Sequence, residues 1–96
     1  MQMALLIYSG ALDREVDAIL DDAGIEGYTK LLKVFGRGRS SGPHLGTHVW
    51  PKVNYMMWIF AEGEKSRRLL EGIRKLRERM GREGVKAFLL PCEEVT

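Results

Sequence analysis

Most of the side chains in this chain that could do chemistry fall between Val34 and Val53, in VFGRGRSSGPHLGTHVWPKV. Gly36-Arg37-Gly38-Arg39 follows a strand-like run. Glycine amides let the backbone approach a ligand closely, and guanidinium groups hold phosphate or carboxylate oxygens in pairs. The segment is neither a Walker A loop nor a GxGxxG fingerprint, and no helix follows it. A hairpin end with solvated arginines is the competing reading. His44 and His48 stand four positions apart. Neutral imidazoles can share a divalent metal, with Cys92 or the carboxylates of Glu93 and Glu94 completing the set from elsewhere. Gly42, Pro43 and Gly46 prevent a helix there, so two histidines on a loop surface remain the alternative. Trp50, held extended by Pro51, either anchors the exit of the loop or offers a stacking surface. Ser40 and Ser41 have no orienting base, Cys92 has no local partner, and no carboxylate pair stands apart from the charged helices. The chain therefore reads as a binder and not as an enzyme.

The elements that must position this loop follow from periodicity. Met3 to Ser9 is a short apolar run ended by Gly10 and predicts a first strand. Asp13 is the expected N-cap of a helix whose apolar residues Val16, Ile19, Leu20 and Ala23 recur at helical spacing, with Gly24 as its stop. Tyr28 to Phe35 predicts a second strand. Asn54 to Phe60, NYMMWIF, predicts a third, since aromatic and branched side chains dominate it. Lys65 to Met80 is a second helix with Leu69, Ile73, Leu76 and Met80 on one side and Gly81 after it. Its Glu71–Lys75 and Glu78–Arg82 pairs have the stabilising order of an exposed, solvated face. Ala87 to Leu90 is a last strand, ended by Pro91. The order β-α-β-β-α-β predicts a ferredoxin-like α+β fold, a four-stranded antiparallel sheet with two helices on one face. Residues 1–96 make one domain, with the loop at about 36–53 as its insertion.

Two helices cover only one face of such a sheet. Tyr55, Met57 and Ile59 point one way and Met56, Trp58 and Phe60 the other, so both faces are apolar. The first strand repeats this. A half-exposed sheet should alternate apolar with polar, and a contiguous apolar face marks an interface. Oligomerisation through the open face is the expectation.

Composition sets the outer bounds. Apolar residues at 45% with 29% charged fit a globular protein and exclude disorder. No apolar run reaches bilayer-spanning length, and the N-terminus lacks the basic n-region and cleavage site of a signal peptide. One cysteine fits a reducing cytoplasm. A net charge of +2 does not call for nucleic acid, and no RNP1-type pattern is present.

Leu12 to Gly27, LDREVDAILDDAGIEG, with Phe35-Gly36-Arg37, Pro51-Lys52-Val53 and Pro91-Cys92-Glu93-Glu94, resembles the PII signalling family in order and over nearly the full length. In that family Phe-Gly-Arg and Pro-Lys-Val bracket the long T-loop, and Pro-Val-Glu-Glu lies near the end. The chain departs where the family's Gln after Phe-Gly-Arg is Gly38. It departs again where Gly-x-Gly-Lys becomes Glu83-Gly84-Val85-Lys86, keeping the lysine, and where only two residues follow Glu94. The resemblance implies a cytoplasmic, homotrimeric regulator that takes a small anionic effector, such as an adenine nucleotide, between subunits. It implies that Gly36, Arg37, Gly38 and Lys86 hold the anion. Arg39, His44, His48 and Trp50 would belong to a loop that contacts a partner such as a membrane transporter or an enzyme. Two other readings use the same fold: a metal-binding trimer resembling the CutA family, with the histidines as ligands, and a small ferredoxin-like enzyme such as an acylphosphatase. The latter's phosphate loop has no counterpart in Gly10-Ala11-Leu12-Asp13.

Overall fold

A computed structural model of the chain describes residues 1–36, 53–80 and 84–96. Its elements are β1 (Gln2–Ser9), α1 (Asp13–Asp22), β2 (Thr29–Val34), β3 (Asn54–Phe60), α2 (Glu64–Met80) and β4 (Val85–Pro91). The strands form one sheet in the order β2-β3-β1-β4, with every neighbouring pair antiparallel. This is the ferredoxin-like arrangement that the periodicity predicts. β3 has the expected bounds, and β4 runs three residues longer than its apolar core of Ala87 to Leu90.

The core lies between the helices and one sheet face. Ala4, Leu6 and Tyr8 of β1 and Met57 and Ile59 of β3 meet Val16 and Leu20 of α1 and Leu69, Ile73 and Leu76 of α2. Met80, expected on the same stripe, is exposed at the end of α2. Ser66 takes a buried place instead, with its hydroxyl donating to the Ala61 carbonyl at 2.8 Å. The helices cross closely at Gly72, where an added Cβ would stand 2.6 Å from Ile19 Cγ2. On the exposed side of α2, Arg67 bonds Glu64 and Glu71. Glu71 thus takes Arg67, at i−4, where the sequence pairs it with Lys75; Arg82 and Gly81 lie outside the described residues.

Asp13 does not cap α1. Ser9 caps a 3-10 turn over Gly10–Leu12, accepting the Ala11 N–H at 3.3 Å, and that turn runs straight into α1. The helix's own N-cap position, Leu12, has no capping side chain. The Asp13 carboxylate instead accepts the Tyr8 hydroxyl at 2.6 Å and the Lys30 ammonium at 3.0 Å. Lys30 also reaches Asp17 at 3.4 Å. One network thus joins β1, α1 and β2, and fixes the strand that leads into the long loop.

Burial works against the charge on Asp13, but the hydrogen bonds from Tyr8 and Lys30 outweigh it and hold the carboxyl below its usual range. Lys30 likewise loses to burial but gains more from Asp13 and Asp17, so its pKa is raised. Tyr8 is pushed well above its ordinary value, first by burial and then by the carboxylate to which it donates. The Asp13 contribution to stability is therefore present above the unfolded carboxylate pKa of about 3.9 and lost as pH falls through the lower folded value. Those of Lys30 and Tyr8 are present below about pH 10 and lost above it. Denaturant unfolding across pH should show a shallower acid limb for Asp13→Asn than for the parent chain. Identical acid limbs would mean that other carboxylates carry acid unfolding. Tyr8→Phe should cost about 1.5–3 kcal/mol at neutral pH, the usual worth of a hydrogen bond to a charged group.

Candidate functional site

Both ends of the long loop attach at one end of the sheet. Val34 at the end of β2 pairs with Asn54 at the start of β3, and Asn54 pairs with Ser9 at the end of β1. The Ser9 N–H donates to the Gly84 carbonyl at 2.8 Å, and the Gly10 N–H donates to Val53 at 2.9 Å. All four strands therefore close within a single rim.

The end of β2 is irregular. Leu31 pairs with Met56, yet Val34 pairs with Asn54, so β2 carries one extra residue there. Lys33 accommodates it with φ at +59°, the left-handed region. For a residue with a Cβ that conformation costs about 1–2 kcal/mol. The bulge also resets the alternation of side chains. Val34 joins Leu31 and Thr29 on the open face, whereas an unbroken strand would have turned Val34 toward the helices.

Of the residues proposed to hold an anion, Gly36 and Lys86 are described. Gly36 is exposed just beyond β2, and an added Cβ would stand 3.3 Å from the Asn54 Nδ2. Lys86 is exposed on β4, paired with Ile7 and hence on the open face. The two share one rim but occupy opposite edges of the sheet. Three strand spacings separate the edges, roughly 14 Å, too far for one small anion to touch both in one chain. Arg37, Gly38, Arg39, His44, His48 and Trp50 lie outside the described residues.

The proposed metal set fares differently. Cys92, Glu93 and Glu94 lie past the far end of β4, where the Cys92 N–H donates to the Met1 carbonyl at 2.9 Å. That is the opposite end of the sheet from the attachment of the histidine-bearing loop, a strand length of roughly 20 Å away. No cluster of three or more His, Cys, Asp or Glu suited to a metal occurs among the described residues. A shallow depression of about 420 Å³ also lies at that far end, lined by Met1, Gln2, Glu62, Gly63, Leu89, Leu90 and Pro91. Its charged groups are the Glu62 carboxylate and the N-terminal amine, an exposed pair 3.9 Å apart.

Sequence reasoning missed Ser9 and Asn54 as the polar residues of the rim, although Asn54 opens an otherwise apolar strand. Phe35, read as the end of the second strand and the first residue of the Phe-Gly-Arg motif, lies just past β2 and is 79% exposed beside Gly36.

Solved structures with this fold carry nucleotides. CPII, a nitrogen regulatory PII-like protein from Thiomonas intermedia K12, bound to ADP, AMP and bicarbonate, is 26% identical over 92% of this chain and 81% of its own, with a TM-score of 0.71. The same protein bound to ADP and bicarbonate gives 25% identity, the same coverage and 0.71. Bound to ADP, AMP and acetate it gives 22%, over 93% of this chain and 82% of its own, and 0.72. No curated protein matches the chain. The family model for nitrogen regulatory protein P-II matches residues 1–96, the whole length, so the chain belongs to that family of regulators, which are not enzymes.

Proposed function

We propose that the chain acts as a homotrimeric regulator, binding an adenine nucleotide between subunits and reporting its occupancy through the loop at 36–53. The observation that carries this is the position of Gly36 and Lys86, at one rim but on opposite sheet edges. Such a pair meets only when the β2 edge of one copy comes beside the β4 edge of another. Gly36, Arg37 and Gly38 of one copy would then serve the phosphate together with Lys86 of the other. Arginine suits this because its planar fork pairs with two phosphate oxygens at once. The bicarbonate and nucleotides bound to CPII support a site of that chemistry. Arg39, His44, His48 and Trp50 serve as contact residues for a partner protein, an enzyme or a transporter. Among the described residues no helix is long and apolar enough to cross a membrane.

Assembly rests on the open face. Ile7, Leu31, Met56 and Trp58 lie there in register across β1, β2 and β3, and Phe88 and Leu90 extend the face on β4. Met56→Asp puts a carboxylate on that face and should turn a trimer into a monomer by light scattering, since an unpaired buried charge costs several kcal/mol. Met57→Asp, in the core beneath the helices, should unfold the chain. A Met56→Asp protein that keeps trimer mass would exclude this face as the interface.

Titration calorimetry with ADP, AMP, ATP and bicarbonate tests the site. Arg37→Ala should weaken nucleotide binding by about 1.5–3 kcal/mol and leave the melting temperature nearly unchanged. Unaltered affinity would remove Arg37 from the site, and no nucleotide binding by the parent chain would remove the reading.

A further inference from the structure

The two halves of α2 carry their charge differently. In the first half, Arg67 and Arg68 are matched to Glu64 and Glu71. In the second half, Arg74, Lys75, Arg77 and Arg79 are exposed, with Glu78 as the single carboxylate among them. None of these four cations makes an ion pair among the described residues. Arg74 and Arg77 stand three apart and Lys75 and Arg79 four apart, so like charges are neighbours on the helix surface and destabilise it. The helix dipole favours cations only in the last turn, which holds Arg77 and Arg79 but not Arg74 and Lys75. Nor does α1 relieve the repulsion. Asp13 and Asp17 are committed to Lys30, and Glu15 Oε2 is buried with no hydrogen-bond partner. Like charge left unneutralised on a surface suits an oppositely charged partner.

The occupant must be narrow. α1 packs directly against α2 at Gly72 and Ile19, and its sequence DREVDAILDD carries five carboxylates and one arginine. Helix axes in such contact lie about 8–10 Å apart. A bilayer or a nucleic-acid duplex laid on α2 would therefore also meet the acidic α1, whereas a single acidic segment of protein would not. Its place in the fold matters too. Met80 ends α2 four residues before Gly84, whose carbonyl belongs to the rim of the loop. Four residues span at most about 14 Å, so a protein held by the loop at 36–53 has this half of α2 within reach. We propose that the C-terminal half of α2 is a docking surface for an acidic segment of a partner protein, an inference that extends the partner-binding reading above. Arg74, Lys75 and Arg77 attract the carboxylates of that segment, and α1 turns broader anionic surfaces away.

Titration of the chain with a synthetic Glu-rich helical peptide tests the proposal, with circular dichroism and light scattering to check that each variant keeps its fold and mass. The peptide should bind the parent, and its affinity should fall as salt rises past ~0.15 M, where the Debye length is about 8 Å. Arg74→Glu/Arg77→Glu should lose about ten-fold, since two exposed attractions become two repulsions. Arg74→Gln/Arg77→Gln should lose less. Arg68→Glu, where the arginine is already matched to Glu64, and the loop variant Arg39→Glu should stay within about two-fold of the parent. No peptide binding by the parent, or binding unchanged by reversal at Arg74 and Arg77, overturns the proposal. Tighter binding of anionic vesicles or duplex RNA than of the peptide overturns it as well. Loss at Arg39 without loss at Arg74 and Arg77 assigns the acidic segment to the loop and removes the α2 site. Peptide binding that depends on Arg74 and Arg77 stands even if the loop contacts no partner, so the two readings fail separately.

Discussion

A sheet that is apolar on both faces, with only two α-helices among the described residues to cover it, governs this molecule. One face is satisfied internally, where Leu6, Tyr8, Met57 and Ile59 are sealed beneath α1 and α2. The other carries Trp58, Phe60, Phe88 and Leu90, each more than a third exposed. Burial of apolar area is worth roughly 25 cal/mol per Å², so four such side chains on one surface are a standing drive for association. The same geometry leaves the ligand rim divided. Gly36 leaves from one sheet edge and Lys86 sits on the other, so in the proposed assembly a second copy would supply the missing half of the rim. In that assembly, association and binding would answer to a single constraint.

The bulge in β2 is where the requirements of the sheet and of the loop are separated. Upstream of it the strand is tied to α1 through Lys30, Asp13 and Tyr8. Downstream, Val34 must recover the open-face register opposite Asn54 before the chain departs. One additional residue with a left-handed backbone at Lys33 does both. It allows the polar network to fix the first half of the strand while the second half is set independently. Without the insertion, whichever register suited Lys30 would also dictate the direction of Phe35.

The parts of the fold legible in the sequence were those written in local periodicity. NYMMWIF is unambiguous because a run of aromatic and sulfur-bearing residues packs on a pleat and fits no one-sided helix, and β3 has those bounds. Val16 and Leu20 are buried one helical turn apart, as their spacing requires. What escaped depends on tertiary partners. Asp13 has the residue type and position of an N-cap, and only the arrival of Lys30, seventeen residues later, and of Tyr8 shows what its carboxylate does. Lys33 gives no warning of positive φ, which is commonly a glycine or asparagine property. Ser66 interrupts an apolar stripe and is tolerated only because the Ala61 carbonyl is within reach. For the rim, glycine and arginine types suggest anion chemistry, yet nothing in their spacing tells that Gly36 and Lys86 sit at opposite edges of the sheet.

A ligand held by residues of two copies is linked to their association. Any molecule that binds the assembled form and not the separated chains stabilises the assembly by RT ln(1 + [L]/Kd), about 2.7 kcal/mol at a hundred-fold excess over Kd. A regulator without a reactive group has this means of converting concentration into shape. The loop at 36–53 departs from the same rim that the proposed nucleotide would complete, so the free energy of occupancy would act at the loop's own base. Its first described residue, Gly36, follows directly on the strand that sets the register and belongs to the proposed ligand contact. A change in occupancy therefore needs no long path through the core to alter how the loop is presented.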